Sequence, residues 1–376
     1  MAGVGLHGLA PTILPVKALV VDVGWVNGLA AIRSLGRAGI EVLALDYRQS
    51  PLGFRSRYAT PVRVPDPAED ESGFIRAVAG AGPGVVFPTH DPPLNALARN
   101  RDRLDGFLFP FPDWSVLEAI QDKRHQLETA RGAGVDIPET AYPTSAAEAR
   151  AAGEEIGLPV LVKPQHPDRF KRLFGKQAFR CENAAELDNA YRQAEPFGPM
   201  VQELIPGGDD ELYSLGSYLR ADGEALGLFS GRKLKQIPPV VGTCRVGEAV
   251  WVQDVVDAGL RLLRALGFHG ISQVELKHDP RDGRYKLMEV NPRLWQWHGL
   301  AAACGVDLPL IAYRDLTGEQ VESVSMNGAR RTWSIAVMPG ERPEVPGFPY
   351  VDAVFARDDL RPGLVHTARV VRGIFR

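Results

Sequence analysis

The chain has 376 residues, too many for one ordinary core, and reads as two or three domains. Hydrophobic residues make up 45% and charged residues 24%, an ordinary globular balance. The formal net charge of −3 carries neither the basic bias of a nucleic-acid binder nor the acidic run of a partner-binding tail. Cys181, Cys244 and Cys304 are far apart, with no metal-ligand or disulfide spacing, which suits a reducing compartment. The opening residues lack a basic n-region, and the longest apolar runs are far shorter than the roughly 20 residues a bilayer span needs. The expectation is a cytoplasmic protein, an enzyme before anything else, with neither membrane nor nucleic acid as partner.

In chain order, residues 1–16 are broken by Gly and Pro and read as a flexible lead-in. Residues 17–23 form a β-branched strand, followed by the turn Gly24-Trp25-Val26-Asn27-Gly28 and a helical pattern through Leu29, Ile32, Leu35 and Ala38. A second strand at 40–45 completes a βαβ unit. Strands at 62–64, 84–88 and 107–109, with a helix at 94–104 between the last two, continue an alternation that implies a parallel sheet covered by helices. Thr89-His90-Asp91 follows one of those strands at its carboxyl end.

A boundary is expected at residue 113. Beyond it, one helix capped by Ser115 runs through Ala119, Lys123 and Leu127 toward Gly132. Helices at 146–156, 184–195 and 252–266 then separate strands at 160–163, 200–204, 212–219, 225–229, 270–276 and 285–290, an α+β texture. After Gly318 a short tail carries one strand, at 335–338, and a Pro/Gly-rich stretch at 339–349. The expected units are 17–113, 114–200, 201–318 and a C-terminal extension over 319–376.

Chemistry concentrates late in the chain. Alternation in Ser272-Gln273-Val274-Glu275-Leu276-Lys277 aims Gln273, Glu275 and Lys277 at one face. The turn at Asp282-Gly283 returns a second strand carrying Lys286, Met288 and Glu289, with Asn291 two positions further on. Two carboxylates and an amide oxygen on paired strands are hard donors of the kind Mg²⁺ takes in combination with substrate phosphates. Arg293, after Pro292, offers a guanidinium to a phosphate or carboxylate. The plainer alternative is a hairpin with solvated charges. Trp295, Trp297 and His298 follow, suited either to a substrate side chain or to the core.

Glu275 with Glu289-Val290-Asn291-Pro292-Arg293 resembles the metal-binding signature of the ATP-grasp superfamily. Other landmarks resemble the same family in the same order. Lys123, in Gln121-Asp122-Lys123-Arg124, is similar to the first nucleotide lysine, and Lys163, ending an apolar strand, to the lysine that meets the phosphates. Residues 166–177, with Arg169, Lys171, Arg172, Gly175 and Lys176, stand where the family has its phosphate-covering loop, although they are poorer in glycine and serine. Val201-Gln202-Glu203-Leu204-Ile205-Pro206-Gly207-Gly208 resembles the hinge that reads adenine. Asp209, Asp210 and Glu211 would then supply the ribose contact, and the sequence does not choose among them. In Gly231-Arg232-Lys233-Leu234-Lys235, alternation puts Lys233 and Lys235 on one face for the transferred phosphate, with Arg245 a weaker candidate. The turn around Trp25 and Asn27 resembles the start of the pre-ATP-grasp domain, where it lines the acceptor substrate or serves architecture alone. It lacks Gly-x-Gly-x-x-Gly spacing for a dinucleotide.

The resemblance implies an α/β plus α+β chain: a Rossmann-like pre-ATP-grasp domain followed by a two-subdomain ATP-grasp fold. It implies ATP with two Mg²⁺ ions (Mn²⁺ the alternative) on Glu275, Glu289 and Asn291. The nucleotide would be held by Lys123, Lys163, Lys176, Gln202, Glu203, Leu204, Ile205, Asp210 and Glu211. Arg293, Lys233 and Lys235 would act on the transferring group, and a homodimer is the expected assembly. The implied chemistry joins a small carboxylate to an amine through an acyl-phosphate. The rival readings are a bicarbonate-activating or carbamoyl-phosphate-type enzyme and a non-catalytic ATP-binding regulator.

Overall fold

The computed structural model describes residues 16–165, 170, 173–238, 242–326, 328–336 and 348–374. The first strand, β1 (Ala18–Val21), is fully buried and parallel to β2 (Val42–Asp46) and β4 (Val85–Pro88); β3 (Thr60–Arg63) extends the sheet beside β2. Helix α1 (Val26–Arg37) crosses between β1 and β2 and buries Leu29, Ile32 and Leu35. Gly28 permits this close approach, since a Cβ there would lie 2.6 Å from the Val23 Cα. Helix α2 (Glu71–Gly80), which the sequence pattern does not announce, is capped by the Asp70 side chain on the Gly73 amide. Helix α3 (Asp91–Arg99) starts earlier than expected because Pro92 and Pro93 fit its first turn, where no amide hydrogen is needed. The strand expected at 107–109 is reduced to one bridge, Val85 to Leu108.

The helix expected over 115–132 is two helices, α4 (Trp114–Gln121) and α5 (Lys123–Gly132). Asp122 between them leaves helical geometry and caps α5 through the Arg124 and His125 amides. Lys123 therefore opens a helix instead of sitting inside one. Next comes a small antiparallel sheet of order β5-β8-β6-β7, made of β5 (Thr140–Ala141), β6 (Val160–Pro164), β7 (Phe179–Cys181) and β8 (Pro199–Glu203). Helices α6 (Ala146–Ile156) and α7 (Ala184–Ala194) pack on it and share a separate core with Val160, Val162 and Val201. The sheet runs to Glu203, so the boundary expected at residue 200 falls inside β8.

The large sheet is built from β9 (Leu212–Leu219), β10 (Ala225–Ile237), β11 (Thr243–Ala249), β12 (Gly270–Asp279) and β13 (Arg284–Asn291), in the order β13-β12-β9-β10-β11. Helix α8 (Gln253–Ala265) buries Val255, Val256, Leu262 and Leu263. Short helices α9 (Gly299–Ala303) and α10 (Leu308–Leu316) follow β13.

Residues beyond Gly318 are integrated into this sheet. Strand β14 (Val324–Ser325) pairs with β10, and β15 (Thr332–Ser334) and β16 (Tyr350–Asp352) extend it past β11. Pairing with β11 forms a strand at Thr332–Ser334; of the strand expected at 335–338, Ile335 and Ala336 lie outside any strand and 337–338, like the rest of 337–347, lie outside the described residues. The last helix, α11 (Arg361–Ile374), follows Asp359, which accepts from Arg33 Nε (2.9 Å), Ser56 Oγ (2.8 Å) and the Arg57 amide (3.0 Å). The end of the chain is thereby fixed to α1. No helix among the described residues is long and apolar enough to cross a membrane.

Candidate active site

A cavity of about 520 Å³ lies where the three sheets meet, lined from β1–α1 (Trp25, Asn27), α5 (Lys123, Leu127), the small sheet (Lys163, Gln202) and the large sheet. Its floor is the β12–β13 pair. Gln273 stands opposite Asn291 and Glu275 opposite Glu289 in an antiparallel register. Gln273, Glu275 and Lys277 all line the cavity, as strict alternation requires. On β13 the register slips beside Glu289, so that Met288 is the extra residue of a bulge. That bulge turns both Met288 and Glu289 into the cavity, where a regular strand would send only one.

Facing carboxylates on paired strands repel each other unless cations sit beside them. Both have one. Lys233 Nζ lies 2.8 Å from Glu275 Oε1, and Lys123 Nζ lies 2.6 Å from Glu289 Oε1. Burial pushes the Glu289 carboxyl up, but Lys123 more than offsets this and leaves it below the usual range. Burial likewise opposes the charge on Lys233, yet Glu275 holds its pKa above the ordinary value. Asn291 is fixed from both sides: its Nδ2 donates to Gln273 Oε1 and its Oδ1 accepts from Arg293 Nη2, each at 3.3 Å. Two carboxylates and an amide oxygen on one face suit Mg²⁺ shared with phosphates. Among the described residues no cluster of three or more His, Cys, Asp or Glu forms a self-sufficient metal cage.

Arg293 makes a two-pronged ion pair with Asp91, at 2.6 and 3.0 Å, which ties the N-terminal sheet to the floor of the cavity. Lys163 donates to Gln202 Oε1 (2.8 Å), and Gln202 donates in turn to Thr140. Burial, and then the charge of Lys123, push Lys163 down to about 8. A bound triphosphate would favour its charged form. Above pH ~8 nucleotide binding should therefore take up a proton, and affinity should fall by up to about tenfold per pH unit. Below pH ~8 free Lys163 is already protonated and the uptake should vanish. Calorimetry of ATP binding in buffers of different ionisation enthalpy reads this directly; uptake that stayed flat across the range would remove Lys163 from the phosphates.

Lys123, Lys163, Gln202, Leu204, Ile205, Lys233, Glu275, Glu289, Asn291 and Arg293 line this single cavity. Other expected residues do not. A register irregularity on β10 between Lys233 and Gln236 breaks the alternation, leaving Lys235 exposed and putting Gln236 into the cavity. Arg245, next to the lining residue Cys244, is not part of the wall. Glu203 points away from the cavity, bound by Arg281 and Lys286, and its amide donates to the Glu139 carbonyl (2.8 Å). Asp210 is exposed and Glu211 pairs with His278 Nδ1 (2.8 Å), so neither carboxylate lines the cavity. Asp209 accepts from the Gln236 backbone and side chain, at 2.7 and 3.0 Å, which fixes the hinge turn to β10. Lys277, donating to the Gly207 carbonyl at 3.0 Å, lines this end instead. Lys176 is exposed, while Gln177 and Ala178 beside it reach the wall; Arg169, Lys171 and Arg172 lie outside the described residues.

Trp295 and Trp297 answer both alternatives left by the sequence: they are buried, Trp295 stacks on Phe229 while Trp297 meets both rings edge-on, and both also form cavity wall. Gly216 makes room for Trp295, since a Cβ there would sit 2.1 Å from its ring. His298 is held neutral by burial, with a pKa pushed down to about 4, and its Nε2–H donates to the Asn27 carbonyl (2.9 Å). Gln236, Gln126 and the β11 residues Thr243 and Cys244 also line the site and were missed; β11 carries no strong strand pattern of its own.

This geometry agrees with comparisons to known proteins. Residues 249–324, which include the whole β12–β13 pair, match the family model described as carbamoyl-phosphate synthase L chain, ATP binding domain. Over 199 residues the chain is 25% identical to the D-aspartate ligase of Enterococcus faecium (strain Aus0004), covering 50% of this chain and 47% of that ligase. Thus the chain spans about half the length of that relative. Among solved structures, a biotin carboxylase from Campylobacter jejuni superposes with a TM-score of 0.67 at 17% identity, over 82% of this chain and 72% of that one. An L-amino acid ligase from Bacillus licheniformis gives 0.60 at 18% identity, over 81% and 75%. The fold is that of the ATP-grasp proteins. Within that class, the chain is similar in sequence to D-aspartate ligase and to the carbamoyl-phosphate synthase large chain, and its residues 249–324 match the ATP binding domain of the latter family.

Proposed function

We propose that this protein is an ATP-dependent ligase that activates a carboxylate as an acyl-phosphate and joins it to an amine, releasing ADP and phosphate. The observation that carries this reading is the pairing of Glu275 with Glu289, with Asn291 on the same face, at the floor of a cavity ringed by Lys123, Lys163, Lys233 and Arg293. In this reading the β3-β2-β1-β4 unit is the Rossmann-like pre-ATP-grasp domain, and the small antiparallel sheet and the large, mostly antiparallel sheet are the two subdomains that grip the nucleotide.

In this reading adenine lies against the apolar lining residues Leu161, Met200, Leu204, Ile205, Leu212 and Met288. Lys123 and Lys163 hold the phosphates. Glu275, Glu289 and Asn291 would hold Mg²⁺, which when bound supplies charge neutralisation to those phosphates. One oxygen of the substrate carboxylate attacks the γ-phosphorus, and the bond from that phosphorus to the β-γ bridging oxygen breaks with its electron pair leaving on ADP. Lys233 and Arg293 steady the charge that spreads over the transferring group, a step governed by position and electrostatics.

A screen of ADP release tests this. Amino acids, dipeptides, small carboxylates and bicarbonate would be offered with ATP and Mg²⁺, with and without hydroxylamine. We expect acid-dependent ADP release accompanied by a hydroxamate. ATP binding with no ADP release from any acid would favour a non-catalytic binder, and a response to bicarbonate alone would favour the carboxylase type.

A further inference from the structure

Beyond the phosphate-facing residues, the wall contributed by the N-terminal sheet ends in Asn27 and His90, to which the mechanism above gives no part. Both are oriented by the same neighbour, Thr89. The Asn27 Nδ2 donates to the Thr89 carbonyl (2.9 Å), so its Oδ1 is left as an acceptor; that atom is buried and receives no hydrogen bond from the protein. The Thr89 hydroxyl donates to the Asp22 carbonyl (2.6 Å) and is therefore an acceptor toward His90 Nδ1, 3.0 Å away. Asp22 Oδ2 lies 3.3 Å from the same nitrogen. With two acceptors on Nδ1, the imidazole carries its hydrogen there and keeps the Nε2 lone pair free.

Asp22 itself is a strained residue. Its φ of 66° is the only positive value at a non-glycine among the described residues, and its other oxygen is held by Arg48 at 2.6 Å. Burial raises the Asp22 carboxyl, but His90 and Arg48 outweigh burial and keep it below the usual range. A carboxylate, a histidine with a fixed tautomer and a cavity in front make the arrangement of a general base with its orienting acid. The adjacent residue, Asp91, grips Arg293, the residue that in the ligase reading steadies the transferring group.

We propose that His90 is the general base of the second half-reaction and that Asn27 and His90 together form the subsite for the incoming amine. The proposal rests on the ligase reading above. An unpartnered amide oxygen and an imidazole lone pair contributed to the same cavity wall select a ligand that donates, which fits an amine and not a carboxylate. As the amine nitrogen bonds to the acyl carbon it becomes acidic, and His90 Nε2 takes the proton. The acyl carbon–oxygen bond breaks with its electron pair leaving on phosphate, and the amide remains. Asp22 is a positioning residue: it stabilises the imidazolium and fixes the ring.

The test uses the full chain with L- and D-amino acids as acids and either glycinamide or hydroxylamine as acceptor. Hydroxylamine is uncharged at neutral pH and reports acyl-phosphate formation with little need of a base. For His90→Gln we expect amide formation with glycinamide to fall about 10²-fold or more, while hydroxamate formation and ATP binding stay near wild type. Asp22→Asn should lower amide formation about tenfold while hydroxamate formation and thermal stability stay near wild type, because the ring loses the carboxylate that orients its Nδ1 hydrogen. The other charges near the ring are Arg48, which bridges Asp22 and Asp46, Asp91 beside it, and Arg293 and Lys123 along the cavity, and these are unaltered in both variants. Parallel loss of amide and hydroxamate in His90→Gln, or loss of neither, would overturn the assignment. Absence of ADP release in the wild type with every acid would instead overturn the ligase reading beneath it.

Discussion

Glu289→Gln is expected to lower ATP turnover by about 10³-fold while leaving the protein folded. Glu289 faces Glu275 across the β12–β13 pair and balances Lys123 at 2.6 Å. As the metal ligand proposed above it would contribute several kcal/mol to the stabilisation of transferring phosphate, and 1.4 kcal/mol is a factor of ten. Folding should tolerate the change, because Gln keeps the shape and relieves a repulsion between facing carboxylates. Lys123 remains solvated enough, at 20% side-chain exposure, to survive the loss of its partner. ADP release titrated with Mg²⁺ is the readout, and a raised Mg²⁺ requirement should accompany the loss. A fully active variant would remove Glu289 from the metal.

Arg293→Lys is expected to cost at least about 10² in kcat, because a lysine keeps the charge but not the planar fork that holds Asp91 through two bonds and Asn291 through a third. If Arg293 were only a tie between the N-terminal sheet and the cavity floor, Asp91→Asn would harm turnover as much as Arg293→Lys, and both would act through lowered thermal stability. In the proposed role the arginine variant loses kcat at temperatures where it is fully folded, whereas Asp91→Asn keeps the guanidinium and loses less. Steady-state kinetics for the two variants, run well below their melting temperatures, separates these outcomes.

The residues legible in the sequence were those whose placement follows from local geometry. Gln273, Glu275 and Lys277 reach one face because a paired strand alternates, and Lys163 reaches the cavity because it ends the buried run of β6. Lys235 was misread because its strand is irregular, and that irregularity arises from pairing with β11, a partner the pattern does not reveal. Met288 and Glu289 could not both face inward on a regular strand; the bulge opposite Glu275 resolves this. The acidic run Asp209–Glu211 looked like a ribose site, but His278 and Gln236, distant in sequence, claim Glu211 and Asp209. The break at Asp122 is a local capping signal hidden inside a continuous apolar period. The role of residues beyond Gly318 rests on the buried Arg33–Asp359 pair, a contact between opposite ends of the chain that no local pattern encodes.

The most direct measurement is oxygen transfer from the acid to phosphate. An acid that supports ADP release, labelled with ¹⁸O in its carboxylate, would be turned over with ATP and amine, and the released phosphate analysed by mass spectrometry. Acyl-phosphate chemistry delivers one labelled oxygen to each phosphate. Phosphate that carries oxygen from water alone would contradict it.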